Sequence, residues 1–239
     1  MLIVSNGAFK SGSTWLTLIV RQMGEFLELP ADFKNEAWKN NSIDPQRIPA
    51  FLERSNLEVE DYLIKAHFKP EDGMRPILLA NPGVRVLNIY RDPKDVLVSA
   101  YYHFGRIGNF KGTMDEFLAA RGDNLVRQLT RYHLYWDSLG AEDAIFFTTY
   151  QKLHQRFDEE VFRLGRFLGW ELNSAQIRAV RENTEFSKLS GGPVPEEKRF
   201  FRKGVMGDWQ RHLSPQQAER VDQIEREEGI YLVLDDIIY

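Results

Sequence analysis

The chain contains no cysteine among its 239 residues. This absence excludes disulfide bonds, thiolate catalysis and cysteine-ligated zinc. No uninterrupted apolar run approaches the roughly 18 to 20 residues that span a bilayer, and the N-terminus lacks a basic segment followed by an apolar one. The formal net charge of −4 argues against a broad nucleic-acid surface, so a polyanionic ligand would need a local cationic pocket. We expect a soluble, cytoplasmic protein that binds neither membrane nor nucleic acid.

The apolar residues that are present suffice for one sizeable core. Hydrophobic residues make up 43% of the chain and aromatic residues 13%, which predicts a single domain over residues 1–239. Nearly continuous apolar runs predict four buried strands, at 2–5, 62–66, 84–90 and 144–148. Apolar residues at helical spacing occupy 15–27 and 162–168. This alternation is typical of a central parallel sheet with helices on both faces, an α/β fold of three layers.

A glycine-rich loop follows the first predicted strand. Gly7 and Gly12 stand at the spacing of the triphosphate-binding loop G-x-x-x-x-G-K-[ST], but Ser13 occupies the lysine position and the lysine is Lys10. The loop opens the helix that carries Trp15, and backbone N–H groups at a helix N-terminus bind anions. Taken alone, the same residues also fit an ordinary turn between a strand and a helix.

Two further segments supply cations. Arg91 follows the strand at 84–90, on the edge where open α/β sheets bind ligands, and Asp92 and Pro93 are suited to begin a helix. The segment RKGVMGDW at 202–209 places two cations beside a glycine whose bare backbone can approach a phosphate. Two separated cationic clusters suggest a ligand with two anionic groups. A capped helix with a surface arginine is the alternative reading of Arg91.

Together, KSGSTW, RDPKDVLVS and RKGVMGDW resemble the cytosolic sulfotransferases, in order and spacing, and matching segments run from residue 9 to about 212. Members of that family transfer a sulfuryl group from 3′-phosphoadenosine 5′-phosphosulfate and release 3′,5′-bisphosphoadenosine. The resemblance implies a P-loop-like site for the 5′-phosphosulfate formed by Lys10, Ser11, Gly12, Ser13 and Thr14. It implies a 3′-phosphate site formed by Arg91, Ser99, Arg202, Lys203 and Gly204. The family's adenine-pocket positions match Trp15, Tyr150, Thr184 and Phe186, whose aromatic members also fit an ordinary core.

The strand at 62–66 leads directly to a candidate base. His67 lies just past this strand, at the edge where Lys10 and Arg91 also emerge. The resemblance implies that Lys65 and His67 match the family's Lys-x-His triplet, with His67 as the catalytic histidine and Lys65 stabilising the transferring group. A neutral histidine can take the proton of an attacking hydroxyl or amine, because its unperturbed pKa of about 6.5 lies near working pH. Lys65 also fits a surface lysine at a strand end.

The predicted activity is in-line sulfuryl transfer to a hydroxyl or amine of a small-molecule acceptor, without a metal. A sulfuryl group carries a single negative charge over three oxygens, so Lys10 and backbone donors should suffice where triphosphate enzymes recruit Mg²⁺. The alternatives are a P-loop kinase of small molecules or nucleotides, and a binding module without turnover. Candidates for the acceptor wall are Phe68, Tyr101, Tyr102 and Phe104. Of the family's dimer motif only Glu219 matches, which leaves the oligomeric state open.

Overall fold

The computed structural model describes residues 1–35, 41–137, 143–189 and 203–229. The chain folds as two compact units. The first consists of Met1–Tyr90 and Trp136–Thr184, and the second of the described residues of Arg91–Tyr135 and Glu185–Tyr239. One domain over residues 1–239 stays a prediction.

A four-stranded parallel sheet forms the centre of the first unit, as the sequence predicts. Its strands are β1 Leu2–Gly7, β2 Tyr62–Ala66, β3 Val84–Tyr90 and β4 Ile145–Thr149. β2 and β3 coincide with the predicted runs, while β1 extends two residues further and β4 begins and ends one residue later. The strand order is β2-β1-β3-β4.

This order places a topological switch point at β1. The chain crosses from β1 to β2 on one side of the sheet order and then returns past β1 to β3 on the other side. Because such crossovers are right-handed, their helices cover opposite faces of the sheet. The connections therefore diverge at the carboxyl end of β1, where open α/β sheets bind their ligands.

Eleven α-helices are found in the described residues. In chain order they are α1 Ser13–Arg21, α2 Ile48–Arg54, α3 Met74–Leu79, α4 Pro93–Arg106, α5 Met114–Phe117, α6 Asp123–Asp137, α7 Tyr150–Gln155, α8 Phe157–Phe167, α9 Ser174–Thr184, α10 Phe186–Leu189 and α11 Pro215–Glu227. No helix in the described part of the chain is long and apolar enough to span a bilayer.

The main core of the first unit lies where α1, α7, α8 and α9 pack against one face of the sheet. Leu16, Ile19 and Val20 of α1 are fully buried there. The expectation that this helix continues to residue 27 is wrong, since α1 ends at Arg21. Met23 and Phe26 nevertheless pack against the same core from the segment that follows, which accounts for the misleading apolar pattern.

The second unit has a smaller core between α4, α6 and α11. Leu97, Val126, Val221 and Ile224 form it and are at most 4% exposed. Ser214 begins α11 with a reciprocal cap, in which its hydroxyl accepts from Gln217 N–H and the Gln217 side chain accepts from Ser214 N–H. This core positions α4, whose N-terminus follows β3 directly.

Candidate active site

The loop at residues 8–12 joins β1 to α1. Ser11 folds it back on itself, since its N–H group and its hydroxyl both donate to the carbonyl of Ala8, at 3.1 and 2.7 Å. Gly12 is the N-cap of α1, so no side chain caps the helix, and its first turn contains no acidic residue. The free end of the helix dipole and the uncapped N–H groups make this terminus suited to an anion.

Two residues of the loop have left-handed backbone conformations. Lys10 has a φ of 62° and Gly12 a φ of 105°, and Lys10 is the one residue other than glycine with positive φ in the described part of the chain. A side chain in this conformation costs about 1 to 2 kcal/mol. At Gly12, a Cβ would lie 2.8 Å from the ring of Tyr150. Such strain concentrates at functional sites, which favours a functional role for Lys10 over an ordinary turn.

Ser13, in the lysine position of the triphosphate loop, is an interior residue. It is 3% exposed, and its carbonyl accepts a hydrogen bond from the hydroxyl of Thr17 at 2.8 Å. The cationic side chain of this loop is therefore that of Lys10. Thr14, the next residue of α1, is half-buried.

His67 contacts the residue from which the loop departs. Its Nδ1 lies 2.5 Å from the carbonyl oxygen of Gly7, the last residue of β1. A carbonyl oxygen only accepts hydrogen bonds, so Nδ1 carries the proton and Nε2 of the neutral ring carries the lone pair. The structure thus defines which nitrogen of His67 can act as a base.

Burial keeps His67 neutral. Desolvation, reinforced by the charge of Lys65, lowers the pKa of His67 to about 4, against a smaller opposing effect of the Gly7 hydrogen bond. The cations Lys10 and Lys69 add to this lowering. At neutral pH the ring is therefore in the basic form.

Lys65 is a buried lysine on β2. It is 9% exposed, pairs in register with Ser5 of β1, and has a pKa lowered by desolvation. The alternative of a surface lysine is therefore wrong. A buried ammonium group lacks the water that would screen its charge, so its field acts strongly on nearby groups.

Three of the four predicted adenine-pocket residues meet in the first unit. Trp15 contacts the ring of Tyr150 edge-on at 5.5 Å between centroids, and its Nε1 donates to the carbonyl of Thr184 at 3.0 Å. His154 joins them, with centroids 4.8 Å from Trp15 and 4.6 Å from Tyr150. The sequence analysis missed His154, although its spacing of four residues from Tyr150 on a helix could have indicated it.

The second unit contains Arg91 and the segment at 203–209. Asp92 caps α4 as predicted, accepting from Lys94 N–H at 2.8 Å. Arg91 donates to the carbonyl of Val205 at 3.3 Å and lies 3.9 Å from the carboxylate of Asp95. Asp95, 4% exposed, accepts from Gly207 N–H at 2.8 Å and Trp209 N–H at 3.2 Å. Asp95 thereby anchors this segment to α4.

Lys203 and Gly204 begin the same segment. Lys203 pairs with buried Asp208 at 3.0 Å. Gly204 has a φ of 64°, and a Cβ there would lie 2.2 Å from the ring of Phe186, so the ring covers its bare backbone. Arg202 lies outside the described residues.

Ser99 and three of the four predicted acceptor-wall residues, Tyr101, Tyr102 and Phe104, lie on α4. Ser99 is half-buried, two turns from the start of the helix. Tyr101 and Phe104 pack around fully buried Phe117, with centroid distances of 5.8 and 5.9 Å. These two rings therefore contribute to an aromatic core.

Residues 2–229 match the family model of the sulfotransferase domain. The chain belongs to the sulfotransferase family. Sulfotransferase 2B1 of Mus musculus is 27% identical over 164 residues, covering 60% of this chain and 47% of that protein. Cytosolic sulfotransferase 13 of Arabidopsis thaliana is 27% identical over 248 residues, covering 92% and 74%. The alignment with the mouse protein thus spans about half of that relative's length.

The fold of this family member is also found in a solved sulfotransferase structure. The crystal structure of mouse sulfotransferase SULT7A1 complexed with PAP matches 98% of this chain and 85% of its own, with a TM-score of 0.72 and 21% identity. The predicted α/β fold with a P-loop-like loop is confirmed.

Within each unit, the fold brings predicted site residues together. The first unit holds the loop Lys10–Thr14, the pair Lys65 and His67, and the aromatic group around Trp15. The second holds Arg91, Lys203, Gly204 and Phe186, linked through Val205 and Asp95.

Proposed function

We propose that this protein transfers the sulfuryl group of 3′-phosphoadenosine 5′-phosphosulfate to a hydroxyl or amine of a small-molecule acceptor, with His67 as general base. The observation that supports it best is the hydrogen bond between His67 Nδ1 and the carbonyl of Gly7. This bond joins a neutral base to the last residue of β1, from which the loop at residues 8–12 departs. The alignment with a cytosolic relative supports a cytoplasmic location.

The residues fit the donor at both of its anionic ends. The uncapped N-terminus of α1 and the left-handed Lys10 would hold the 5′-phosphosulfate. Arg91, Ser99, Lys203 and Gly204 would hold the 3′-phosphate, while Trp15, Tyr150, Thr184 and Phe186 would hold the adenine. When bound, the donor would supply the transferable sulfuryl group.

The chain's own groups would then carry the proton and the charge. His67 Nε2 would accept the proton of the acceptor's hydroxyl or amine as that atom attacks. Lys10 would stabilise the negative charge that develops on the leaving side, and Lys65 the charge on the group in transfer. Both cations act strongly where water is excluded, and Lys65 is already buried.

Ligand-dependent melting tests the proposal against a kinase. We expect 3′,5′-bisphosphoadenosine to raise the melting temperature, because a ligand that binds the folded state stabilises it. ATP with Mg²⁺ should have a smaller effect. A radiolabelled sulfuryl donor, offered with phenols, alcohols and amines, should label an acceptor in the presence of excess EDTA. Stabilisation by ATP and Mg²⁺ alone, or a complete and magnesium-reversible loss of transfer, would favour the kinase.

Replacing Arg91 tests the 3′-phosphate site. Arg91→Ala should weaken bisphosphoadenosine binding by about 1.5 to 3 kcal/mol, the usual range for hydrogen bonds to charged groups. Adenosine 5′-phosphosulfate lacks the 3′-phosphate, so its affinity should hardly change. Calorimetry with both ligands measures the difference, and equal losses would contradict the assignment.

A further inference from the structure

Buried partners hold the His67–Phe68 segment at one side-chain atom and two backbone atoms. His67 Nδ1 donates to the carbonyl of Gly7 at 2.5 Å. The N–H group of Phe68 donates to Oδ1 of Asn6 at 3.1 Å, and the carbonyl of Phe68 accepts from Nε1 of Trp136 at 2.9 Å. All five residues belong to the first unit.

These contacts lie just beyond the end of the hydrogen-bonded ladder between β1 and β2. Asn6 and Ala66 form the last pair between β1 and β2, so His67 and Phe68 lie beyond this ladder. The side chain of Asn6 and the carbonyl of Gly7 take over there, and they extend the pairing by two residues. The N–H group and the carbonyl of Phe68 belong to the two peptide groups that flank this residue, so neither peptide group can rotate without losing a buried hydrogen bond.

Stability alone does not explain an asparagine at position 6. Asn6 is fully buried, and its Nδ2 has no hydrogen-bond partner among the described residues. A buried, unpaired N–H group is destabilising, so an apolar side chain would suit the site better if packing were its only task. What the carboxamide contributes is its Oδ1, the acceptor for Phe68.

We propose that Asn6 is a positioning residue for His67. Together with Trp136, Asn6 fixes the backbone of Phe68, so that the imidazole of His67 keeps Nδ1 on the carbonyl of Gly7 and offers Nε2 as the base. The inference rests on the proposed function, in which His67 takes the proton of the acceptor. It adds two residues, from β1 and α6, that touch neither donor nor acceptor.

The neighbouring strand offers a matched control. Asn88 of β3 pairs in register with Asn6, is 2% exposed, and likewise has an unpaired side-chain atom, Oδ1, within the described residues. Asn6→Leu and Asn88→Leu therefore each remove a buried carboxamide at the same level of the sheet, and leucine keeps the branching of asparagine. Only the first removes a hydrogen bond to the His67 segment.

The experiment compares both variants with the unaltered protein. Asn6→Leu should lower kcat about 10- to 100-fold, the loss expected from a small misplacement of a catalytic group, while the Kd of bisphosphoadenosine changes by less than about twofold. Asn88→Leu should keep kcat within about threefold. Trp136→Phe, which keeps a ring but loses the N–H donor, should resemble Asn6→Leu.

Nitrogen NMR of the ligand-free proteins reports the tautomer of His67, whose signal is assigned by comparison with His67→Ala. The unaltered protein should show a single Nδ1-protonated tautomer, and Asn6→Leu should show a mixture of tautomers.

Equal turnover in the two leucine variants would overturn the positioning role and leave His67 as the base. If His67→Ala keeps full turnover, the base assignment itself fails, and the NMR spectrum of Asn6→Leu decides the positioning claim. A mixture of tautomers would then support the claim that Asn6 positions the His67 ring. An unchanged Nδ1-protonated tautomer would overturn that claim.

Discussion

His67 combines a defined tautomer with an environment that opposes its protonation. The Gly7 carbonyl fixes the proton on Nδ1, and desolvation together with Lys65 lowers the pKa of the ring to about 4. A base with a low pKa is weak in the sense of proton affinity, but it is fully available at neutral pH. The negative charge of a bound donor would raise its pKa toward the working range.

Replacing His67 should separate binding from chemistry. His67→Ala should lower kcat by about 10²- to 10⁴-fold and leave bisphosphoadenosine affinity nearly unchanged, because only proton transfer is removed. The loss should be smaller for nitrophenols, which are already partly ionised.

In the unaltered protein, kcat/KM for the donor should stay level down to about pH 5 and fall as the pH approaches about 4, where His67 becomes protonated. An acid limb near pH 6.5, or normal turnover of the variant on a high-pKa alcohol, would contradict the assignment.

α4 and the segment at 203–209 are joined by hydrogen bonds into one element of the second unit, where we propose the 3′-phosphate site. Asp95, in the first turn of α4, accepts from the N–H groups of Gly207 and Trp209, and Arg91 donates to the carbonyl of Val205. The carboxylate of Asp95 also lies near the Arg91 guanidinium. Asp95 of this helix therefore orients both Arg91, which precedes α4, and the segment that carries Lys203.

Gly204→Ala tests whether the shape of this segment matters for the 3′-phosphate. Gly204 and Gly207 both have positive φ, at 64° and 71°, so alanine strains the backbone similarly at each. Only at Gly204 would the new Cβ meet the Phe186 ring, since nothing lies within 4 Å at Gly207. We expect Gly204→Ala to weaken bisphosphoadenosine binding at least about tenfold more than Gly207→Ala. A displaced Phe186 would lose its proposed stacking on the adenine, and the backbone at residue 204 would move away from the proposed 3′-phosphate site. Calorimetry on both variants checks this, and equal affinities would contradict it.

The sequence predicts the elements of this fold better than the contacts that tune its site. Apolar runs mark the four strands within two residues, and the Asp92-Pro93 pair marks the start of α4, because both signals are local. The end of α1 was missed, since Met23 and Phe26 remain apolar for a tertiary reason. The bond from Phe68 to Asn6 joins residues 62 positions apart, and that from Trp136 to Phe68 joins residues 68 apart. No local pattern encodes such pairs.

Each unit also contains a buried histidine whose protonation opposes folding. Desolvation lowers the pKa of His133 in the second unit to about 4, like that of His67 in the first. A histidine with a lower pKa in the folded state takes up its proton more readily when unfolded. Its contribution to stability is complete above the unfolded pKa of about 6.5 and is lost as the pH falls toward about 4.

We therefore expect the free energy of unfolding to fall between about pH 6.5 and pH 4, by as much as about 3 kcal/mol for each of the two histidines. Urea unfolding at a series of pH values measures the slope. His67→Gln should remove part of it, because glutamine does not titrate. A stability that stays level through this window would show that neither ring is protected from protonation.

The left-handed backbone at Lys10 creates a conflict between stability and the proposed activity. A search for stabilising substitutions would select Lys10→Gly, because glycine adopts a positive φ without the steric cost that lysine has there. The same substitution would delete the one cation of the anion loop. Attempts to make this protein more heat-resistant should leave position 10 unchanged and seek stabilising substitutions elsewhere, because the strained residue supplies the cation that we propose to bind the donor.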